Sequence, residues 1–143
     1  MIRLTRQADY AIVVMTYLAR LTGTFTVTAR DLAREARLSR PMVSKTLKAL
    51  TQAGLLTSQR GVHGGYRLAA RPDEITIARI ITALEGPIGM TDCTNEDPGC
   101  CDIELSCPVR SNWQLINEVV HHALEQITLA QMSVSLVGHL PSP

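Results

Sequence analysis

The sequence predicts a mainly α fold: a winged helix–turn–helix, then a cysteine-bearing loop, then one long C-terminal helix. Three observations predict it. Apolar residues recur at helical spacing through the N-terminal half, and the helices they mark lead into two short β-type segments joined by glycines. Basic residues crowd the same half: residues 1–71 hold twelve Lys/Arg against three Asp/Glu, a charge of +9, whereas residues 72–143 hold two against ten, a charge of −8. All four cysteines, Cys93, Cys100, Cys101 and Cys107, fall in one acidic stretch, "DCTNEDPGCCDIELSCPV", residues 92–109.

The first helix is expected from about Thr5 to Leu21, where Leu4, Ala8, Ala11, Ile12, Met15, Leu18 and Ala19 form one face and Gly23 follows. Thr28 is an N-cap residue type and opens a second helix, with Asp31 three residues on in the place of a capping-box acid. "LSRPMVSKTLKALTQAGLL" predicts a third: Ser39 caps it, Pro41 sits in its first turn, Val43, Leu47 and Leu50 face the core, and Gly54 stops it. "LLTSQ" and "GYRLA" read as strands, and Gly61, Gly64 and Gly65 permit a tight hairpin between them. "ITIARIITALEG" predicts a fourth helix from Thr76 to Glu85, stopped by Gly86 and Pro87. A long helix is expected from near Pro108 past Met132, since Trp113, Ile116, Val120, Ala123, Ile127 and Ala130 keep a 3–4 spacing that Val119, Leu124 and Val134 widen. The expected organisation is a winged-helix domain 1–86, a loop 87–107, a helix 108–134 and a disordered tail 135–143.

Helix, short connection, helix, hairpin is the order of a winged helix, whose second paired helix enters the DNA major groove by its N-terminal part. Ser39, Arg40, Met42, Ser44, Lys45 and Lys48 then line the exposed side of that helix. Arg40 suits a guanine edge, because a guanidinium can bond it bidentately. Lys45 and Lys48 suit phosphate, which positions without specifying. Arg60, His63 and Arg67 lie in or beside the hairpin. The strongly basic half fits a polyanionic partner, double-stranded DNA.

No run of about eighteen apolar residues suggests a membrane span, and "MIRLTRQADYAIVV" does not read as a secretory signal. A cytoplasmic protein is expected, with thiols kept reduced and clustered for metal or redox chemistry. No phosphate loop, nucleophile elbow or paired acid–base constellation appears, so an enzyme is not expected. For the cysteines several arrangements stay open. Zinc prefers two short ligand pairs, which Cys93-x6-Cys100 and Cys101-x5-Cys107 are not. A thiol switch needs a low-pKa cysteine, which Cys107 before a helix N-terminus could supply. An iron–sulfur cluster accepts thiolates at varied spacings and a carboxylate or histidine in one place.

"MIRLTRQADYAIVVMTYLA", "LSRPMVSKTLKALTQAGLL", "RGVHGGYRLA", "ITIARIITALEG" and the cysteine loop before a long helix resemble the IscR/NsrR family of winged-helix iron–sulfur regulators, over residues 2 to about 132. The chain looks most similar to the branch that regulates SUF-type cluster-assembly genes. The resemblance implies a homodimer joined by its C-terminal helices, a DNA operator, and a 2Fe–2S or 4Fe–4S cluster held by Cys93, Cys101 and Cys107. Cys100 is then an extra thiol or an alternative ligand. Where some members place a histidine ligand this chain has Arg110, which cannot bind iron; others use an acidic residue on the first helix, which here is Asp9. The same fold also serves nitric oxide or redox-sensing repressors, and a zinc-bound or metal-free regulator is the other alternative.

Overall fold

The computed structural model describes residues 3–21, 25–94 and 101–135. Helices α1 (Arg6–Arg20), α2 (Ala29–Ala36) and α3 (Arg40–Gln52) lead into an antiparallel hairpin of β1 (Leu56–Gln59) and β2 (Gly65–Leu68). Then come α4 (Ile77–Glu85), a 3₁₀ turn Asp92–Thr94, α5 (Arg110–Gln126) and α6 (Leu129–Ser135). The architecture is mainly helical with one two-stranded sheet, as the sequence predicts.

One core joins α1, α3, α4 and α6. Val14, Met15, Leu47, Leu50, Ile75, Ile80 and Leu129 are all fully buried in it. The expected α3 stripe of Val43, Leu47 and Leu50 is buried, whereas Leu4 precedes α1 and stays exposed. The helix ends follow local chemistry. Thr5, Thr28 and Thr76 each accept a hydrogen bond from the backbone N–H three residues on, satisfying a donor left over by the first turn. α3 closes in a Schellman arrangement: Leu55 N–H donates to Leu50 O and Gly54 N–H to Thr51 O, with Gly54 at φ +76°.

Two expected caps differ in detail. Ser39 stands at the N-cap of α3 but its hydroxyl makes no capping bond, leaving it free on the surface. Asp31 does not complete a capping box through the Thr28 backbone; its carboxylate accepts from the Thr28 hydroxyl at 2.7 Å and from Arg34 at 3.0 Å.

The hairpin gains a third partner. Val27 and Tyr66 exchange both backbone hydrogen bonds, Val27 N–H to Tyr66 O at 2.9 Å and the reverse at 2.8 Å. This lashes the wing to the chain entering α2. Gly65 makes the approach possible, since a Cβ there would lie 2.6 Å from the Val27 oxygen.

The single long C-terminal helix expected over 108–134 is two helices. α5 ends at Gln126 and Ile127 turns extended, with φ −96° and ψ 119°. Ile77 N–H donates to Ile127 O at 2.9 Å, and Leu129 N–H to Ile75 O at 2.8 Å. Two long-range backbone bonds replace helical ones at the break. Thr128 then starts α6 with a reciprocal box: Gln131 N–H donates to Thr128 Oγ1, and Thr128 N–H to Gln131 Oε1 at 2.8 Å. α6 turns back against α1 and buries Leu129 completely. Ser135, assigned to the tail by the sequence reading, belongs to α6; residues 136–143 of that tail lie outside the described residues.

Candidate nucleic-acid interface and cysteine segment

α3 divides into two faces. Val43, Thr46, Leu47 and Leu50 are buried, while Arg40, Ser44, Lys45 and Lys48 are exposed on the opposite side. Their spacing of one, three and four residues places the cations along one solvent-facing stripe. Ser39 is exposed at the head of the helix and Met42 is half-buried beside it. α2 precedes through a tight turn at Arg37, which adopts a left-handed conformation at φ +54°. No signal marks that turn in the sequence, where a glycine or asparagine is the usual occupant.

Arg60 and His63 are exposed in the wing, with Val62 between them almost fully solvent-accessible. Thr26 Oγ1 donates to the His63 carbonyl at 2.7 Å, so the tip is braced from the base of α2. Arg67 points outward from β2 and its Nε donates to Thr57 Oγ1 at 3.2 Å. Among the described residues, Arg40, Lys45, Lys48, Arg60 and Arg67 form no ion pair with a carboxylate. Arg34 and Arg71 do. Arg71 is held by Asp73, whose carboxyl is lowered from its ordinary value by the hydrogen bond from Arg71. The α3 stripe and the wing thus present cations that no described carboxylate neutralises, as do Arg3, Arg6, Arg20, Arg30, Arg37 and Arg79 elsewhere on the chain, and such unneutralised cations suit a phosphate-binding surface.

The cysteines occupy the crossing from α4 to α5. Cys93, Cys101 and Cys107 are free, half-buried thiols; Cys100 lies outside the described residues. Cys93 sits in the 3₁₀ turn, with Sγ 3.2 Å from Thr91 Oγ1. Glu104 N–H donates to Cys101 O at 3.1 Å, and Arg110 N–H to Cys107 O at 3.4 Å. Cys107 precedes α5 closely, beside its N-terminus. Arg110 makes an ion pair with Glu104 at 2.7 Å and closes this turn.

The donors suit an iron–sulfur centre in kind, since free thiols are its ordinary ligands. They are not assembled: among the described residues no group of three His, Cys, Asp or Glu side chains stands close enough to hold a metal ion. Asp9 is exposed in the first turn of α1, and the start of that helix is tied to α4 by Glu85, which accepts from Thr5 N–H at 3.0 Å and from the Thr5 hydroxyl. His121 lies 3.6 Å from Glu125 on α5 and His122 is exposed, well along the helix from the cysteines.

α5 buries none of its residues within the chain. Val109, Trp113 and Ile116 form one exposed stripe, with Leu115 and Val119 beside it, and Ile127 is exposed just past the helix end. No helix among the described residues is long and apolar enough to cross a membrane.

A basic recognition helix with a braced wing defines a winged-helix transcriptional regulator that binds DNA. The Rrf2 family model, described as an iron-dependent transcriptional regulator, matches residues 4–134, and the chain belongs to that family. It is 31% identical over 106 residues to protein rrf2 of Nitratidesulfovibrio vulgaris, covering 74% of this chain and 70% of that protein. It is 30% identical over 132 residues to the regulator CymR of Bacillus subtilis, covering 92% and 89%. The structure of that CymR, described as the global cysteine regulator, matches with a TM-score of 0.74 over 94% of this chain and 98% of that one. The structure of T. potens IscR also matches with a TM-score of 0.74, at 26% identity over 99% and 94%.

Proposed function

We propose that this Rrf2-family regulator binds its operator as a homodimer whose DNA affinity depends on an iron–sulfur cluster, and that it controls SUF-type cluster-assembly genes. The observation that carries the reading is the placing of three free thiols on the one segment that joins the DNA-reading domain to the exposed apolar helix. Cys93, Cys101 and Cys107 would hold the cluster. Asp9, from α1 of either subunit, is the fourth ligand we favour, and Cys100 its alternative. A bound cluster would supply covalent links among points of the chain that stand apart without it.

The chain's own residues do the rest. The apolar stripe of α5 meets its symmetry mate, because an aliphatic face this long is costly to leave in water. Two copies then present two α3 helices, whose separation must match half-sites about one DNA turn apart. Ser39, Arg40, Met42 and Ser44 face bases, Arg40 foremost; Lys45, Lys48, Arg60 and Arg67 hold phosphate, and His63 enters beside the wing tip. Any change in the loop that shifts α5 against the domain shifts the population of correctly spaced dimers.

The likeness to CymR supports a second reading, in which the thiols or a small thiol compound regulate DNA binding with no metal. Redox or nitric oxide sensing through the same segment is the related alternative. Anaerobic purification and reconstitution, with iron and acid-labile sulfide counted per chain and operator binding measured before and after, separates them. Our reading expects sulfide in the parent, none in a variant with Cys93, Cys101 and Cys107 changed to Ser, and operator affinity that follows sulfide content. Metal-free protein with unchanged, thiol-dependent operator binding supports the second reading and refutes ours.

A further inference from the structure

Among the described residues, one side-chain hydrogen bond joins the opening of the cysteine segment to α5. Asn117 Oδ1 accepts from the Met90 backbone N–H at 3.1 Å. That N–H is shared with Thr94 Oγ1 at 3.0 Å, which also accepts from Thr91 N–H at 3.0 Å and donates to the Thr91 carbonyl at 2.8 Å. Thr91 O in turn accepts from Thr94 N–H at 3.0 Å. These bonds close a compact turn over residues 90–94, and Cys93 sits inside it with its thiol against the Thr91 hydroxyl. Thr94 closes the turn on itself; Asn117 supplies the side-chain hydrogen bond that joins it to α5, against which the turn also packs. The bonds from Glu104 N–H to Cys101 O and from Arg110 N–H to Cys107 O, by contrast, link neighbours within residues 101–110.

Asn117 is half-buried on the side of α5 that meets this turn, next to Ile116 of the exposed stripe. The residue that bonds the Cys93 turn and a residue of the unpartnered face are thereby sequence neighbours on one helix. A half-buried amide whose oxygen accepts a single, shared backbone N–H is a costly choice unless the geometry it fixes matters, since a larger aliphatic residue there would bury more apolar surface.

We propose that Asn117 is the positioning residue for Cys93: it holds this thiol at a set point on α5 before any ligand arrives, so that Cys93 is the fixed anchor of the site. This rests on the reading of Cys93 as a ligand. The fixed thiol lowers the ordering required of the segment when the site assembles, because one of its attachment points is already in place.

The test uses full-length, metal-free chain in which Cys100, Cys101 and Cys107 are replaced by serine, leaving Cys93, and a companion that keeps only Cys107. The readout is the rate of thiol alkylation by iodoacetamide. Asn117→Leu is expected to raise the rate at Cys93 about fivefold, the shift in open population for one ordinary hydrogen bond lost. Asn117→Asp keeps an acceptor oxygen in place and should restore the parent rate, and Asn117→Leu should leave Cys107 unchanged. In the four-cysteine chain, Asn117→Leu should slow acid-labile sulfide uptake by a similar factor. An unchanged rate at Cys93, equal acceleration at Cys107, or failure of the aspartate to rescue overturns the proposal. The alkylation arm needs no metal, so a parent chain that takes up no sulfide ends the cluster reading while the placing of Cys93 is judged separately.

Discussion

Replacing Leu129 with alanine tests whether α6 belongs to the DNA-reading domain. Leu129 is fully buried, held by its own backbone bond to Ile75, and packed in the core with α1. Truncating a fully enclosed leucine removes its transfer free energy and leaves a cavity, about 2–5 kcal/mol together, and about 3 is expected where backbone bonds on both sides limit collapse. A regulator of this size has about 5–15 kcal/mol in total, so the variant loses a large share of its stability. With a urea slope of about 2 kcal/mol per molar, the midpoint falls by about 1.5 M at fixed protein concentration, with the slope unchanged. The assay is urea unfolding followed by far-ultraviolet circular dichroism. A shift corresponding to less than about 0.5 kcal/mol, the level of ordinary surface substitutions, would show that Leu129 lies on the outside of a continuous helix and would refute the docking of α6.

Three further outcomes are expected. Lys45→Ala should weaken operator binding evenly across sequences and reduce the slope of log K against log salt by about 1, whereas Arg40→Ala should cost about 1–3 kcal/mol and relax preference at one base pair; fluorescence anisotropy at several salt concentrations distinguishes them. Arg37→Gly should stabilise the fold by about 0.5–1 kcal/mol in a thermal melt, because relief of about 1–2 kcal/mol of left-handed strain exceeds the added freedom of the unfolded glycine. If the proposed dimer forms through α5, Ile116→Glu should raise its dissociation constant about tenfold or more in sedimentation equilibrium, since two carboxylates would be buried across the proposed two-fold axis, while the fold of the single chain, in which Ile116 is exposed, stays intact.

Much of the fold was legible because its signals are local. The Thr28 cap, the Gly54 stop, the α3 stripe and the hairpin glycines each act within a few residues, and all appear where the sequence places them; Thr5 and Thr76, expected as first helical residues, are N-caps. The break at Ile127 was not seen because Trp113, Ile116, Val120, Ala123, Ile127 and Ala130 keep one period across it. Periodicity reports that a residue is apolar, not which surface it meets. Thr128-x-x-Gln131 was the available signal, a capping box in mid-pattern. Ser39 illustrates the opposite error: the residue type suits a cap, but its hydroxyl is left to the surface.

The cysteine segment was legible as a set of ligand types and not as an arrangement. Asn117 carried no signal at all, because its partner Met90 lies far away in sequence and offers a backbone N–H, a group every residue but proline possesses.

By itself the sequence determined the kinds of elements, the basic recognition face and the grouping of soft donors, since each depends on residue chemistry read over short distances. Only the tertiary structure decided that the C-terminal region splits, with α6 closing the core and α5 left outward, and that the turn holding Cys93 is bonded to that outward helix through the Met90 N–H. Both depend on backbone groups meeting across long separations, and a backbone group leaves no mark in the order of side chains.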